Sequence, residues 1–120
     1  MNILVVESNM SLRRLWAWHL MRQEFDVCHV GGQDDAIAHI SENNVHLIVL
    51  NLELADGDAM AVADYASYRR PEARVIFVTS NSFFSDGAIF EHCQNACALV
   101  PKATKPDDLA AMATYYSRGA

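Results

Sequence analysis

The 120-residue chain is poor in cysteine, with three, and poor in positive charge, with nine Lys and Arg against 15 Asp and Glu. Cys28, Cys93 and Cys97 are too few and odd in number for a disulfide framework, which points to a reducing, cytoplasmic setting. At a net charge of −6 there is no clustered positive charge to displace counterions, so no nucleic-acid surface is expected. Long apolar runs are missing as well. Leu47-Ile48-Val49-Leu50 is far too short to cross a bilayer. No basic segment precedes Ile3-Leu4-Val5-Val6, so no signal peptide is read there and no membrane association is expected. Metal-binding spacings are absent among His19, His29, His39, His46 and His92. Cys93 and Cys97 would share a face of a helix, and they read as small buried thiols rather than a redox pair or a metal clamp.

What is present is the composition of one globular domain, 52% hydrophobic and 20% charged, at a length that supports a core without staples. Short apolar runs alternate with longer periodic segments. Strands are predicted at Ile3–Val6, Val27–Val30, His46–Leu50, Arg74–Thr79 and Ala98–Val100. Helices are predicted at Ser11–Gln23, with Leu12, Leu15, Trp16 and Leu20 on one stripe, and at Asp34–Glu42, with Ala36, Ile37 and Ile40 inward. Others run from an Asp58 cap to about Tyr68, from Asp86 to Gln94, and onward from Pro106, where Asp107 and Asp108 meet the positive end of the helix dipole. Five βα units at this spacing imply an α/β domain, a doubly wound parallel sheet with helices on both faces. In such sheets the functional side chains gather beyond the carboxyl ends of the strands, which singles out Glu7-Ser8, Asn51, Thr79 and Lys102.

Those positions resemble the receiver domain of bacterial two-component response regulators, the CheY-like family. Ile3-Leu4-Val5-Val6-Glu7-Ser8 is similar to the family's first strand and acidic pair. The stretch Leu47 to Asp58 is similar to the phosphorylation-site strand and its loop. Val78-Thr79-Ser80 is similar to the switch hydroxyl, and Val100-Pro101-Lys102 before Leu109 to the lysine strand and last helix. The resemblance covers essentially all of residues 1–120, either as a whole protein or as the front of a longer one. It implies a five-stranded sheet in the order 2-1-3-4-5, the flavodoxin-like order. It also implies a chemistry. An Asp after the third strand accepts a phosphoryl group, acidic residues after the first hold Mg²⁺, a Lys pairs with phosphoryl oxygens, and the Thr or Ser follows the new charge.

The chain departs from that pattern where the chemistry is done. Asn51 stands at the acceptor position, and a neutral amide has no carboxylate oxygen to form an acyl phosphate. Ser8 replaces the second acid, so the vestigial metal positions keep Glu7, with Glu53 nearby, and Mg²⁺ binding is expected to be weak or absent, with no other cofactor. Leu99 occupies the place of the family's switch aromatic, and Ala103 that of the Pro after the lysine. Lys102 is preferred over Lys105 by its distance to Leu109. The expectation is therefore an atypical receiver, not an enzyme, that signals through protein contacts, with Lys102 paired to Glu7 beside the Asn51 amide. The alternative is a conventional phosphoryl-accepting receiver that regulates an attached or separate output such as transcription.

Other residues divide between core and contact roles. Glu53, Asp56 and Asp58 read as a solvated loop with Asp58 capping a helix. Trp18 cannot share the Trp16 face, so it is either an interface residue or folded over its own helix beside Met21 and Arg22. Tyr115 and Tyr116, with Met112, offer a second apolar surface. The resemblance implies a homodimer through the fourth helix, fifth strand and fifth helix, and a sensor kinase or another signalling protein as partner. Phe83-Phe84 reads as a lid or a contact patch. A flavin-binding doubly wound protein is disfavoured, because Glu7-Ser8-Asn9-Met10-Ser11 is not Gly-rich and Glu7 would repel phosphate. Ser8 also lacks the G-x-S-x-G context of a hydrolase.

Overall fold

The structure is a computed structural model that describes residues 1–80 and 86–117. Its elements are β1 (Asn2–Val6), α1 (Met10–Met21), β2 (Asp26–Val30), α2 (Gln33–Glu42), β3 (Leu47–Asn51), α3 (Ala59–Arg69), β4 (Arg74–Thr79), α4 (Asp86–His92), β5 (Ala96–Pro101) and α5 (Pro106–Ser117). The strands form one parallel sheet in the order β2-β1-β3-β4-β5, as expected.

Alternation along each central strand sends side chains to two separate cores. Leu4, Val6, Ile48, Leu50, Val75 and Phe77 pack under α2, α3 and α4. Ile3, Val5, Leu47, Val49, Ile76 and Val78 pack with Trp16 and Leu20 of α1 and Leu109, Ala110 and Ala113 of α5. Every residue of β3 is buried, as its uninterrupted apolar run requires of a strand covered on both faces. The two edges differ: β2 has only exposed and half-buried positions, while β5 buries Ala98 and Val100.

Helix starts follow capping chemistry. Asn9 Oδ1 accepts the Leu12 N–H at 3.0 Å, so α1 begins at Met10, one residue before the predicted Ser11. Asp58 Oδ1 accepts the Met60 N–H at 2.9 Å, the cap expected for α3. Beyond the end of α1, Glu24 takes φ 66°, a left-handed conformation usually left to Gly or Asn.

Several local expectations need correction. Leu15 is 44% exposed. The inward line of α1 runs along Leu12, Trp16 and Leu20 at four-residue steps, with small Ala17 beside it, and Leu15 falls off that line. In α2, Ala36 and Ile40 are buried but Ile37 is only half-buried. Helix α4 stops at His92 rather than Gln94, and β5 begins at Ala96, so Cys93 and Cys97 do not share a helix. Cys93 is buried beside α4 and Cys97 lies within β5. Phe83-Phe84 lies outside the described residues.

Candidate functional site at the carboxyl end of the sheet

Parallel strands bring their carboxyl ends to one edge, and the interstrand ladder continues past them. The Leu52 N–H donates to the Val78 carbonyl at 2.8 Å, the Lys102 N–H to the Thr79 carbonyl at 2.8 Å, and the Glu7 N–H to the Val30 carbonyl at 3.2 Å. These bonds place Glu7, Asn51, Thr79 and Lys102 along one rim, together with Ser8 and Glu53.

Glu7 is 1% exposed, and a carboxylate so deeply buried needs compensating partners. They are neutral donors: Asn51 Nδ2 at 2.7 Å and the Asn9 N–H at 3.0 Å. Asn51 is likewise 1% exposed, and its Oδ1 accepts the Glu53 N–H at 2.9 Å. The amide thus presents a donor to the acid on β1 and an acceptor to its own following loop, a division that a carboxylate cannot reproduce. The Ser8 hydroxyl accepts the Ala55 N–H at 2.9 Å, tying the loop after β1 to the loop after β3.

The expected Glu7–Lys102 pair is not what holds Glu7. Its carboxylate is satisfied by Asn51 and Asn9. The Lys102 charge instead bears on Glu53.

Nor is Glu53 a freely solvated loop acid. Its Oε2 accepts the Thr79 hydroxyl at 2.7 Å, and its Oε1 accepts the Ser80 N–H at 2.7 Å and the Ser80 hydroxyl at 2.9 Å. Burial alone would raise its pKa, but the Ser80 N–H, the Thr79 and Ser80 hydroxyls and the Lys102 charge outweigh it and hold the carboxyl below its ordinary value. Thr79 is buried at 7% exposure, so its hydroxyl is fixed where it meets this acid.

Sequence reading missed Arg13 and Gln33, and it quoted Ser80 only within the switch-hydroxyl motif, with no role of its own. Arg13 donates through a guanidinium nitrogen to the Glu7 carbonyl at 3.1 Å and through Nε to His29 Nδ1 at 3.0 Å. Burial, then the charges of Arg13 and Arg14, lower the His29 pKa, which favours the neutral ring that this bond needs. Gly31 leaves the room: a Cβ there would lie 2.6 Å from an Arg13 guanidinium nitrogen. Gln33 accepts the Asp58 N–H at 2.8 Å and donates its own N–H to the Asp56 carbonyl at 3.0 Å. Gly57, at φ 105°, sits against the Gln33 side chain. No local pattern signals the Arg13–His29, Gln33–Asp58 and Ser80–Glu53 links, because each joins residues from different βα units.

The remaining predicted residues lie away from this rim. Leu99 pairs with Phe77 in β5 and packs toward the α2–α4 side. Trp18 is 51% exposed, with the Arg22 guanidinium 4.9 Å from its ring centre and His19 edge-on at 4.9 Å. Tyr115 is exposed, whereas Tyr116 packs against the core and donates its hydroxyl to the Cys97 carbonyl at 2.9 Å. Burial pushes the Cys97 thiol up to about 11, so it is not a ready nucleophile. A cleft of about 650 Å³ at the opposite end of the sheet is lined by residues that include His46, Glu72, Arg74, Asn95 and Cys97. It shares no residue with the rim.

A doubly wound sheet with an acid after β1, a polar residue ending β3, a hydroxyl ending β4 and a lysine after β5 defines a class of signalling modules. The chain belongs to the response regulator receiver domain family, whose profile matches residues 3–114. Solved structures share the fold. The signal receiver domain of a protein assigned as a Luxo repressor from Vibrio parahaemolyticus is 24% identical, with TM-score 0.86 over 98% of this chain and 89% of that one. A CheY-like receiver domain protein from Methanospirillum hungatei is 18% identical, with TM-score 0.86 over 99% and 98%. A response regulator from Burkholderia pseudomallei, solved with a phosphorylated aspartic acid, is 21% identical, with TM-score 0.79 over 98% and 69%. No curated protein sequence matches this chain. Among the described residues no helix is long and apolar enough to cross a membrane.

Proposed function

We propose that this chain is an atypical receiver domain that signals through protein contacts without accepting a phosphoryl group. The observation that carries the reading is the Asn51 amide, which donates to Glu7 at 2.7 Å and accepts from Glu53 N–H at 2.9 Å. Its nitrogen has no free lone pair for attack and its oxygen carries no charge. The metal positions fit Mg²⁺ poorly. Glu7 is the one carboxylate among Glu7, Ser8 and Asn51, and internal donors already engage both of its oxygens, while the Ser8 hydroxyl is committed to Ala55. A hard cation that prefers several charged oxygens has little to replace its hydration shell with.

The partner in this reading is a protein, a sensor kinase or another signalling component, met through exposed Trp18 or through a surface of α4, β5 and α5 that includes Tyr115. A second copy bound through α4, β5 and α5 is the homodimer form of the same idea. Residues 1–120 act as one receiver module, alone or at the front of a longer protein. The second reading, a conventional phosphoryl-accepting receiver, draws on Thr79 and Lys102 at the ends of β4 and β5.

Incubation with acetyl phosphate and Mg²⁺, or with a phosphorylated kinase, separates the two. The expected result is an unchanged intact mass. A hydroxylamine-sensitive phosphoryl adduct overturns the proposal.

A further inference from the structure

We propose that the Glu53 carboxylate is a resident anion: it fills, from within the chain, an oxyanion seat made by the Thr79 hydroxyl and the Ser80 N–H and hydroxyl. This rests on the reading of the domain as one that takes no phosphoryl group of its own, since a covalent anion on β3 would compete for the same donors.

The geometry is that of an anion site. Three donors converge on the two carboxylate oxygens at 2.7, 2.7 and 2.9 Å, short distances typical of charge-assisted hydrogen bonds. They come from two consecutive residues at the end of β4, one a backbone N–H that no rotamer change can withdraw. The acid comes from the neighbouring strand, two residues past the end of β3, and the Leu52–Val78 bond fixes its height opposite Thr79. Asn51 adds a second restraint by accepting the Glu53 N–H, so the acid is held at backbone and side chain together.

The consequence is a seat closed to outside anions while Glu53 is charged, and open to them when it is removed. The ligand class is a small oxyanion, a planar carboxylate or inorganic phosphate, matched to two hydroxyls and one N–H. Occupation from within clamps the loop after β3 to the end of β4 without any ligand.

Chemical rescue in the full chain tests this. The Ser80 amide is followed by ¹H–¹⁵N NMR, and Tm is measured in parallel, at constant ionic strength with chloride as the reference salt. In the wild type, neither acetate nor inorganic phosphate should move the Ser80 amide. In Glu53→Ala the amide should shift upfield and Tm should fall by about 4 °C. Acetate or phosphate should then restore both saturably, and should fail to do so in Glu53→Ala/Thr79→Ala. The isosteric Glu53→Gln variant, which keeps the volume and so guards against misfolding, should lose the amide shift as well. An unmoved Ser80 amide in Glu53→Gln, no saturable rescue in Glu53→Ala, or saturable phosphate binding by the wild type overturns the proposal. These titrations contain neither phosphodonor nor Mg²⁺, so they fail or succeed independently of the phosphorylation experiment.

Discussion

At the scale of single residues, one nitrogen atom decides the character of the rim. Asn51 Nδ2 donates to Glu7 at 2.7 Å, and Asn51→Asp would set two buried carboxylates at that separation. One must protonate or move, which should cost about 2 kcal/mol at neutral pH. Urea denaturation should show the loss, and Mg²⁺ should recover part of it in Asn51→Asp while leaving the wild type unmoved. A titration follows from Glu53. Its carboxyl is held below the ordinary value in the folded state, so the unfolded chain takes up its proton at higher pH. Its stabilisation is therefore full above the ordinary carboxylate range and is lost as pH falls through the folded value. Comparing wild type with Glu53→Gln by denaturant midpoint should give a gap of about 1 kcal/mol at neutral pH that closes in acid. Glu53 is exposed, so added salt should narrow that gap too.

At the scale of elements, caps and turns set where helices begin and end. Asp58→Ala removes the acceptor for the Met60 N–H and should destabilise the chain by about 1 kcal/mol, read by thermal or urea unfolding. Glu24 points the other way. It holds a left-handed conformation that Gly adopts without a Cβ clash, so Glu24→Gly should stabilise by about 0.5–1 kcal/mol. The links of Arg13 to His29, Gln33 to Asp58 and Ser80 to Glu53 also belong to this scale, because each fastens one βα unit to another. Element existence and type were legible from apolar spacing: each of the ten elements appears where a short run or a periodic segment stands. Boundaries were less so at α1, α4 and β5. Capping by Asn9 and pairing of β5 with β4 add or remove residues that hydrophobicity does not mark.

At the scale of the whole molecule, the sheet divides the interior into two cores, and Trp16 is among the largest fully buried side chains, on the α1–α5 side. Trp16→Ala should cost about 3–5 kcal/mol, a large share of the stability of a small domain, and should lower the urea midpoint accordingly. The same two-sided arrangement carries the rim, since parallel strands deliver Glu7, Asn51, Thr79 and Lys102 to one edge only if β1, β3, β4 and β5 are neighbours.

Order along the chain alone determined the alternation of strands and helices, the family resemblance, and the presence of an amide where an acid would be needed for acyl phosphate chemistry. Those are properties of residue type and spacing, and they survive without coordinates. Only the tertiary structure decided who pairs with whom: Glu7 with Asn51 rather than Lys102, and Glu53 with Thr79 and Ser80 rather than with solvent. Hydrogen bonds across strands depend on distances of a few tenths of an ångström between residues far apart in sequence, and no local pattern encodes them.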